Sequence, residues 1–261
     1  MKIVVCIKQV PDTTEVKLDP KTGTLIRDGI PSIMNPDDKG GLEYALQLKD
    51  EYGAEVTVIT MGPPQADAVL REAFAMGADR AILLTSRKFA GADTLATSNA
   101  LAGALKVLDF DLVLAGRQAI DGDTAQVGPQ IAEHLGIPQV SYLEDLKFDG
   151  KKTLRIKKQL EDGYQIVEVD TPCLLTCLAS AVKPRYMSVS GIMDAWNKEV
   201  EIWDTDKIDV AEEKLGLKGS PTKVKKAGAK EMKAAGVVKD GLSAEEAADA
   251  IIEKLKEKFI I

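Results

Sequence analysis

The stretch AGRQAIDGDTAQVGPQIAEHLG, residues 115–136, brings Asp121, Gly122, Asp123 and Thr124 to the start of an amphipathic run directly after the apolar DLVLA. A helix start exposes backbone N–H groups, and these can hold a phosphate without help from a cationic side chain. Gly122 and Gly128 would allow close backbone approach, Thr124 offers a hydroxyl, and Asp121 or Asp123 can accept from a ribose or cap the helix. The residues alone leave two readings open, a capped helix and a phosphate site. Other chemistries find little support. The chain has no GxGxxG and no GxxxxGK[ST], which excludes the usual dinucleotide fingerprint and the P-loop. Its single histidine, His134, reads as a surface or packing residue, and no Ser-His-Asp or Cys-His arrangement stands out, so no catalytic side chain is expected. Cys173 and Cys177 are four residues apart, but a closed zinc site needs four ligands and one histidine leaves the set short. Cys6, Cys173 and Cys177 lie in apolar runs and read as buried thiols of a reduced compartment.

Composition narrows the class further. The 261 residues are 45% hydrophobic and 29% charged, enough to bury a full core, and the net charge of −7 argues against nucleic acid as a partner. No stretch approaches the roughly 20 apolar residues of a membrane span. The opening MKIVVCIKQVPD is too short and too soon interrupted for a signal peptide, so a cytoplasmic location is expected.

The elements that must position these residues follow from the hydrophobic pattern. KIVVCIK, EVTVITM, RAILLT and DLVLAG are short, branched, nearly continuous apolar runs, which is how strands buried on both faces read. Amphipathic stretches separate them, including NPDDKGGLEYALQLKDEYG and PPQADAVLREAFAMGA. This alternation predicts an α/β fold with a doubly wound, mostly parallel sheet. In NPDD, Asn35 is the expected N-cap, Pro36 the first helical residue, and Asp37 and Asp38 complement the helix dipole. From about residue 140 the pattern changes: Glu161–Asp162–Gly163 lies between two alternating segments and predicts a β-hairpin excursion, after which PCLLTCL returns as a buried strand. Two domains are expected, a nucleotide-binding α/β domain over 1–204 and a C-terminal arm over 205–261 that contacts a partner subunit. The arm carries six lysines between 218 and 233 and ends in a helix opened by a Ser243–Glu246 capping box.

Four stretches together carry a family resemblance over essentially the whole chain: VVCIKQVPD, SIMNPDDKGGLEYALQLK, AGRQAIDGDTAQVGPQIAEHLGIP and IKKQLEDGYQIVEVDTPCLLT. The last is the most specific, with a basic residue, an acid-acid-glycine turn, a glutamine and a proline before a buried strand. The chain resembles the beta subunits of electron-transfer flavoproteins. That resemblance implies a heterodimer with an alpha subunit carrying FAD, and a nucleotide pocket in the beta subunit that holds AMP in simple electron carriers and a second FAD in electron-bifurcating members. Carried over, the pocket comprises Cys6, Ile7, Asn35, Asp38, Met61, Asp121, Asp123, Thr124, Ala125, Gln126, Val127, Gly128 and Gln130. The stretch GADTLATSNALAGAL resembles the bifurcating type, with Thr94 and Thr97 reaching the longer ligand, so FAD is the expected cofactor and NADH the electron donor. The implied partners are the alpha subunit, an acyl-CoA dehydrogenase, and ferredoxin or flavodoxin. The docking segment for the dehydrogenase aligns with KPRYMSVSGIMDAWNKEV and places Val189 as its hydrophobic anchor, although DAWNKE stands where some carriers have a lysine-rich run. A reading of another class, a stand-alone adenine-nucleotide-binding regulatory module, predicts a homodimer without flavin.

Overall fold

Successive residues of a strand point to opposite faces of its sheet, and the buried residues here divide accordingly. Ile3, Val5, Val56, Val58, Leu112 and Leu114 join one apolar cluster, while Val4, Cys6, Ile59, Val113 and Ala115 join another. Each cluster needs its own helical layer, and the chain supplies one on each face. The computed structural model describes residues 1–12, 31–222 and 236–261. The elements run β1 (Lys2–Cys6), β2 (Gln9–Pro11), β3 (Ser32–Met34), α1 (Pro36–Tyr52), β4 (Glu55–Met61), α2 (Asp67–Met76), β5 (Arg80–Leu84), α3 (Thr94–Leu105), β6 (Leu112–Gly116) and α4 (Val127–Leu135). They continue with β7 (Gln139–Phe148), β8 (Thr153–Leu160), β9 (Gly163–Asp170), β10 (Cys173–Cys177), α5 (Val189–Ala195), β11 (Val200–Trp203) and α6 (Ala244–Glu257). Residues of α1 and α2 pack on the first face and residues of α3 and α4 on the second, the doubly wound α/β architecture that the sequence predicts.

The strand order is β11-β5-β4-β1-β6-β10-β7-β8-β9, and the pairings from β11 to β7 are parallel. The four apolar runs of the sequence form the contiguous centre, β5-β4-β1-β6. The chain moves outward from β1 through β4 to β5, then returns to the other side of β1 with β6. That reversal is the switch point, where loops diverge and open sheets bind ligands. The expected hairpin is β8 and β9, paired antiparallel with Leu160 opposite Gly163. It does not leave the sheet but extends it at the edge through β7, a strand whose mixed burial gives no continuous apolar run.

The chain forms two compact units, Met1–Ala227 and Gly228–Ile261. Residues 205–222, expected to begin the arm, lie in the first unit, where Ile208, Leu215 and Ser220 are buried. Most of the lysine-rich stretch, 223–235, lies outside the described residues. In the second unit α6 has the expected Ser243–Glu246 capping box and exposes Ile251 and Ile252. Among the described residues no helix is long and apolar enough to cross a membrane.

Gly116 ends β6 against the first turn of α1. A Cβ there would overlap Asp38 Oδ1 and lie 2.8 Å from both Asp37 Cβ and the Asp38 nitrogen, whereas a Cβ on Gly122 would meet nothing within 4 Å. Gly116→Ala should therefore cost about 1–3 kcal/mol, the usual range for overpacking, and Gly122→Ala under about 0.5 kcal/mol. Denaturant unfolding of the two variants checks this, and equal stabilities would contradict the packing argument.

Candidate nucleotide-binding site

The carboxyl ends of β1, β6 and β10 meet at the start of α1, and three side chains bind them together. Asn35 is fully buried; its side-chain N–H donates to Gln118 O at 2.8 Å and its oxygen accepts from the Ile120 N–H at 3.1 Å. Asp37 accepts from the Ala179 N–H at 2.8 Å and the Gln118 N–H at 3.3 Å, and lies 3.4 Å from Arg117 Nε. Asp38 accepts from the Lys8 N–H at 2.8 Å and the Gly116 N–H at 2.9 Å. Burial pushes the Asp38 carboxyl up to about 7, against the opposing pull of Asn35 and those two N–H groups. Asn35 occupies the expected N-cap position of α1, with Pro36 first in the helix, but its side chain makes no cap bond. The local N-P-D-D pattern fits a cap, but the Asn35 side chain satisfies a loop some 80 residues away instead.

The β6–α4 loop is held at its other points by short-range bonds. Gly122 and Asp123 donate their N–H groups to Ala119 O, Asp121 pairs with Lys8 Nζ at 2.7 Å, and Asp123 accepts from the Gln118 side chain at 2.8 Å. Neither aspartate caps α4, whose N-cap position is Gln126 with no side-chain bond. Asp123 and Ala125 have φ of 49° and 52°, the left-handed region that non-glycine residues rarely occupy, and Gln126 is right-handed. A left-handed residue next to a right-handed one turns successive N–H groups toward a common point, an anion-binding concavity. Among the described residues, the N–H groups of Thr124, Ala125, Gln126, Val127 and Gly128 have no hydrogen-bond partner. Pro129 has no N–H and Gln130 donates its own to Gln126 O, so the free donors end at Gly128.

The structure brings most of the expected site residues together at this crevice. Cys6 on β1 pairs in register with Ala115 on β6, and Met61 at the end of β4 and Val127 at the start of α4 pack against the cluster that holds both. Burial pushes the Cys6 thiol up to about 12, so it is a neutral wall residue. Ile7 is the exception: its side chain joins the opposite face and only its backbone lies at the strand end. Thr94 donates its hydroxyl to the Gln126 side chain at 2.9 Å, which sets the start of α3 beside the start of α4. Thr97, one turn later, is half-buried and donates its N–H to Asp93 O. Gln130 carries a buried side-chain oxygen with no partner among the described residues.

Gly128 is glycine for a reason the sequence does not reveal. A Cβ there would lie 2.6 Å from Thr176 Cγ2 on β10, so it is the sheet behind the helix that demands glycine. Thr176 is the residue sequence reasoning missed, and its hydroxyl also accepts from the Tyr142 N–H at 3.2 Å. Only the otherwise apolar run CLLTC, buried at all five positions, hints that a polar side chain here is enclosed.

Residues 22–208 match the family model described as the electron transfer flavoprotein domain. The chain is 62% identical to the electron transfer flavoprotein subunit beta of Clostridium acetobutylicum, with all of both chains covered. It is 56% identical to subunit CarD of the caffeyl-CoA reductase-Etf complex of Acetobacterium woodii, again over all of both chains. It is 47% identical to the acryloyl-CoA reductase electron transfer subunit gamma of Anaerotignum propionicum, with both chains fully covered. With most of its length inside the family's domain and its relatives matched from end to end, the chain belongs to the electron transfer flavoprotein family, as a beta subunit.

Proposed function

We propose that this beta subunit holds FAD at the switch-point crevice and that, in a heterodimer with an alpha subunit that also carries FAD, it takes electrons from NADH and divides them. One electron goes toward the alpha subunit and an acyl-CoA dehydrogenase, the other toward ferredoxin or flavodoxin. The observation that carries this reading is the row of unpartnered N–H groups from Thr124 to Gly128, curled by left-handed Ala125 at the start of α4. Such a row suits a phosphate, and strain kept at a non-glycine residue is a usual mark of a functional loop.

The residues fit the group in two respects. Asp121 is paired with Lys8 and Asp123 accepts from the Gln118 side chain, so both carboxylates are engaged within the protein. The start of α3, which Thr94 sets beside Gln126, is capped by Asp93 and leaves the phosphate to α4. Gln130 offers a buried acceptor that still lacks a donor. Thr124 to Gly128 would hold the phosphates, Cys6, Met61 and Val127 would supply the apolar wall, and Asn35, Asp37 and Asp38 would fix the loop without touching the ligand. When bound, FAD supplies two-electron acceptance from a nicotinamide and one-electron release; the protein supplies position and field. Relatives named for caffeyl-CoA and acryloyl-CoA reductases favour a partner that handles CoA thioesters.

The docking surface of this reading is α5 and the residues around it. Val189 is 78% exposed, and Tyr186, Met193 and Trp196 beside it are exposed as well. Contiguous exposed apolar side chains of this kind mark interaction sites. The segment is fixed at both ends: Arg185 pairs with buried Glu43 at 2.9 Å, and Arg71 donates to the carbonyls of Ala195 and Lys198.

A simple carrier with AMP in the same cradle is the second reading, since the donors from Thr124 to Gly128 would serve one phosphate equally well. Extraction of the co-expressed heterodimer separates the two. Two FAD per complex and no AMP is the expected content, with ferredoxin reduced when NADH and crotonyl-CoA are both present. One FAD with one AMP would sink the bifurcating assignment and leave the carrier. Val189→Asp should lower the rate of electron transfer to the dehydrogenase at least tenfold, a loss of about 1.4 kcal/mol or more at an anchor, with flavin content unchanged. An unaltered rate would remove Val189 from the docking surface.

A further inference from the structure

At the far end of α4 from the cradle lies a cleft of about 340 Å³, lined among others by Asn99 of α3, Lys106 just after it, His134 of α4, and Asp209 and Lys214 from the segment after β11. That segment is seated firmly. The Asp209 N–H donates to Gly103 O at 3.0 Å, and the Val210 side chain fills the space that a Cβ on Gly103 would need.

His134 gives the cleft an unusual donor. The Ser98 hydroxyl lies 2.9 Å from Leu95 O, to which it can donate, and 3.1 Å from His134 Nε2, where either atom can be the donor. Nδ1 has no partner among the described residues, and in the imidazolium both ring nitrogens are donors. Burial holds the ring below its ordinary range, as do Lys106 and Lys214 nearby, while neighbouring Glu133 acts in the other direction. Asp209 is the cleft's only carboxylate against two lysines. Neither Lys106 nor Lys214 takes part in an ion pair among the described residues. The last turn of α4 also favours positive charge at His134, so burial first and the two lysines second are what hold the ring below its ordinary range.

We propose that this cleft binds a phosphate-class dianion, with Lys106 and Lys214 as its counter-charges, and that binding draws one proton from solvent onto the His134 ring. An anion between the lysines cancels the repulsion that opposes the imidazolium, and the new N–H becomes a third donor to the anion. Affinity then falls with rising pH, by up to tenfold per unit between the midpoints of free and loaded protein. The anion could be free phosphate or the phosphoryl end of a nucleotide, and the chemistry of recognition is the same.

His134 is the chain's one histidine, which gives the test a clean probe. In the co-expressed complex labelled at histidine, without an affinity tag of that residue, the resonance lost in His134→Gln identifies the ring. Its NMR titration midpoint should rise on addition of inorganic phosphate and stay put with chloride at equal ionic strength. The Lys106→Gln, Lys214→Gln double variant should lose the rise while keeping wild-type flavin content and unfolding temperature; Lys214→Gln alone should reduce it. A rise at lower concentration with ADP than with phosphate would support the cleft and identify a nucleotide as the source, and the reverse order would support it with the free anion. A midpoint that ignores both, or that moves as much with chloride or in the single and double variants, overturns the proposal.

Discussion

Two buried carboxylates at the first turn of α1 hold the functional face of this sheet together. Between them Asp37 and Asp38 accept four backbone N–H groups, from Lys8, Gly116, Gln118 and Ala179, at the ends of three parallel strands. Where those strands end, the ladder that satisfied their amides ends too, and an orphaned buried N–H costs roughly 1–3 kcal/mol. The helix that follows β1 brings acceptors to the place where donors run out. Its positive end also favours the two charges, which offsets part of the burial that raises Asp38.

From that anchor the cradle follows. Asn35 bonds both sides of the loop at Gln118 and Ile120, so the chain leaves β6 in one conformation. The loop then reaches α4 with five amides unpaired and no side chain capping them. A cap would stabilise the helix by about 1 kcal/mol and would occupy the donors an anion needs. Left uncapped, with Ala125 in the left-handed region, the helix start keeps its donors free at the expense of local stability, which is what the proposed phosphate site requires. Gly128 seats that start directly against Thr176 of β10, which fixes the cradle relative to the sheet.

The central strands and the helix layers were legible in the sequence because continuous apolar runs such as VVCI and LVLA have one physical use, burial on both faces. The edge strands were not. In β7 and β11 only part of the side chains are buried, and the reason they are strands lies in their neighbours. The loop from Asp121 to Gly128 stands out in the sequence from its place after a strand and before a helix, but its internal hydrogen bonds do not. That the Asn35 side chain reaches Gln118 and Ile120, and that neither Asp121 nor Asp123 caps α4, could not be read there, because a side-chain oxygen near a helix start suits both local and distant donors. Similarly, the segment 205–222 has the low apolar density of an arm, while Ile208, Leu215 and Ser220 are enough to seat it on the body.

On the proposed reading the amides from Thr124 to Gly128 are reserved for phosphate. Hydrogen exchange measured on the intact heterodimer, as purified and after nucleotide is stripped from the beta pocket, tests it residue by residue. Strong protection of these five amides in the loaded complex, lost on stripping while the Asp37 and Asp38 partners at Lys8, Gly116 and Ala179 stay protected in both states, is the predicted result. Exchange at Thr124 to Gly128 that is equally fast in both states would contradict it.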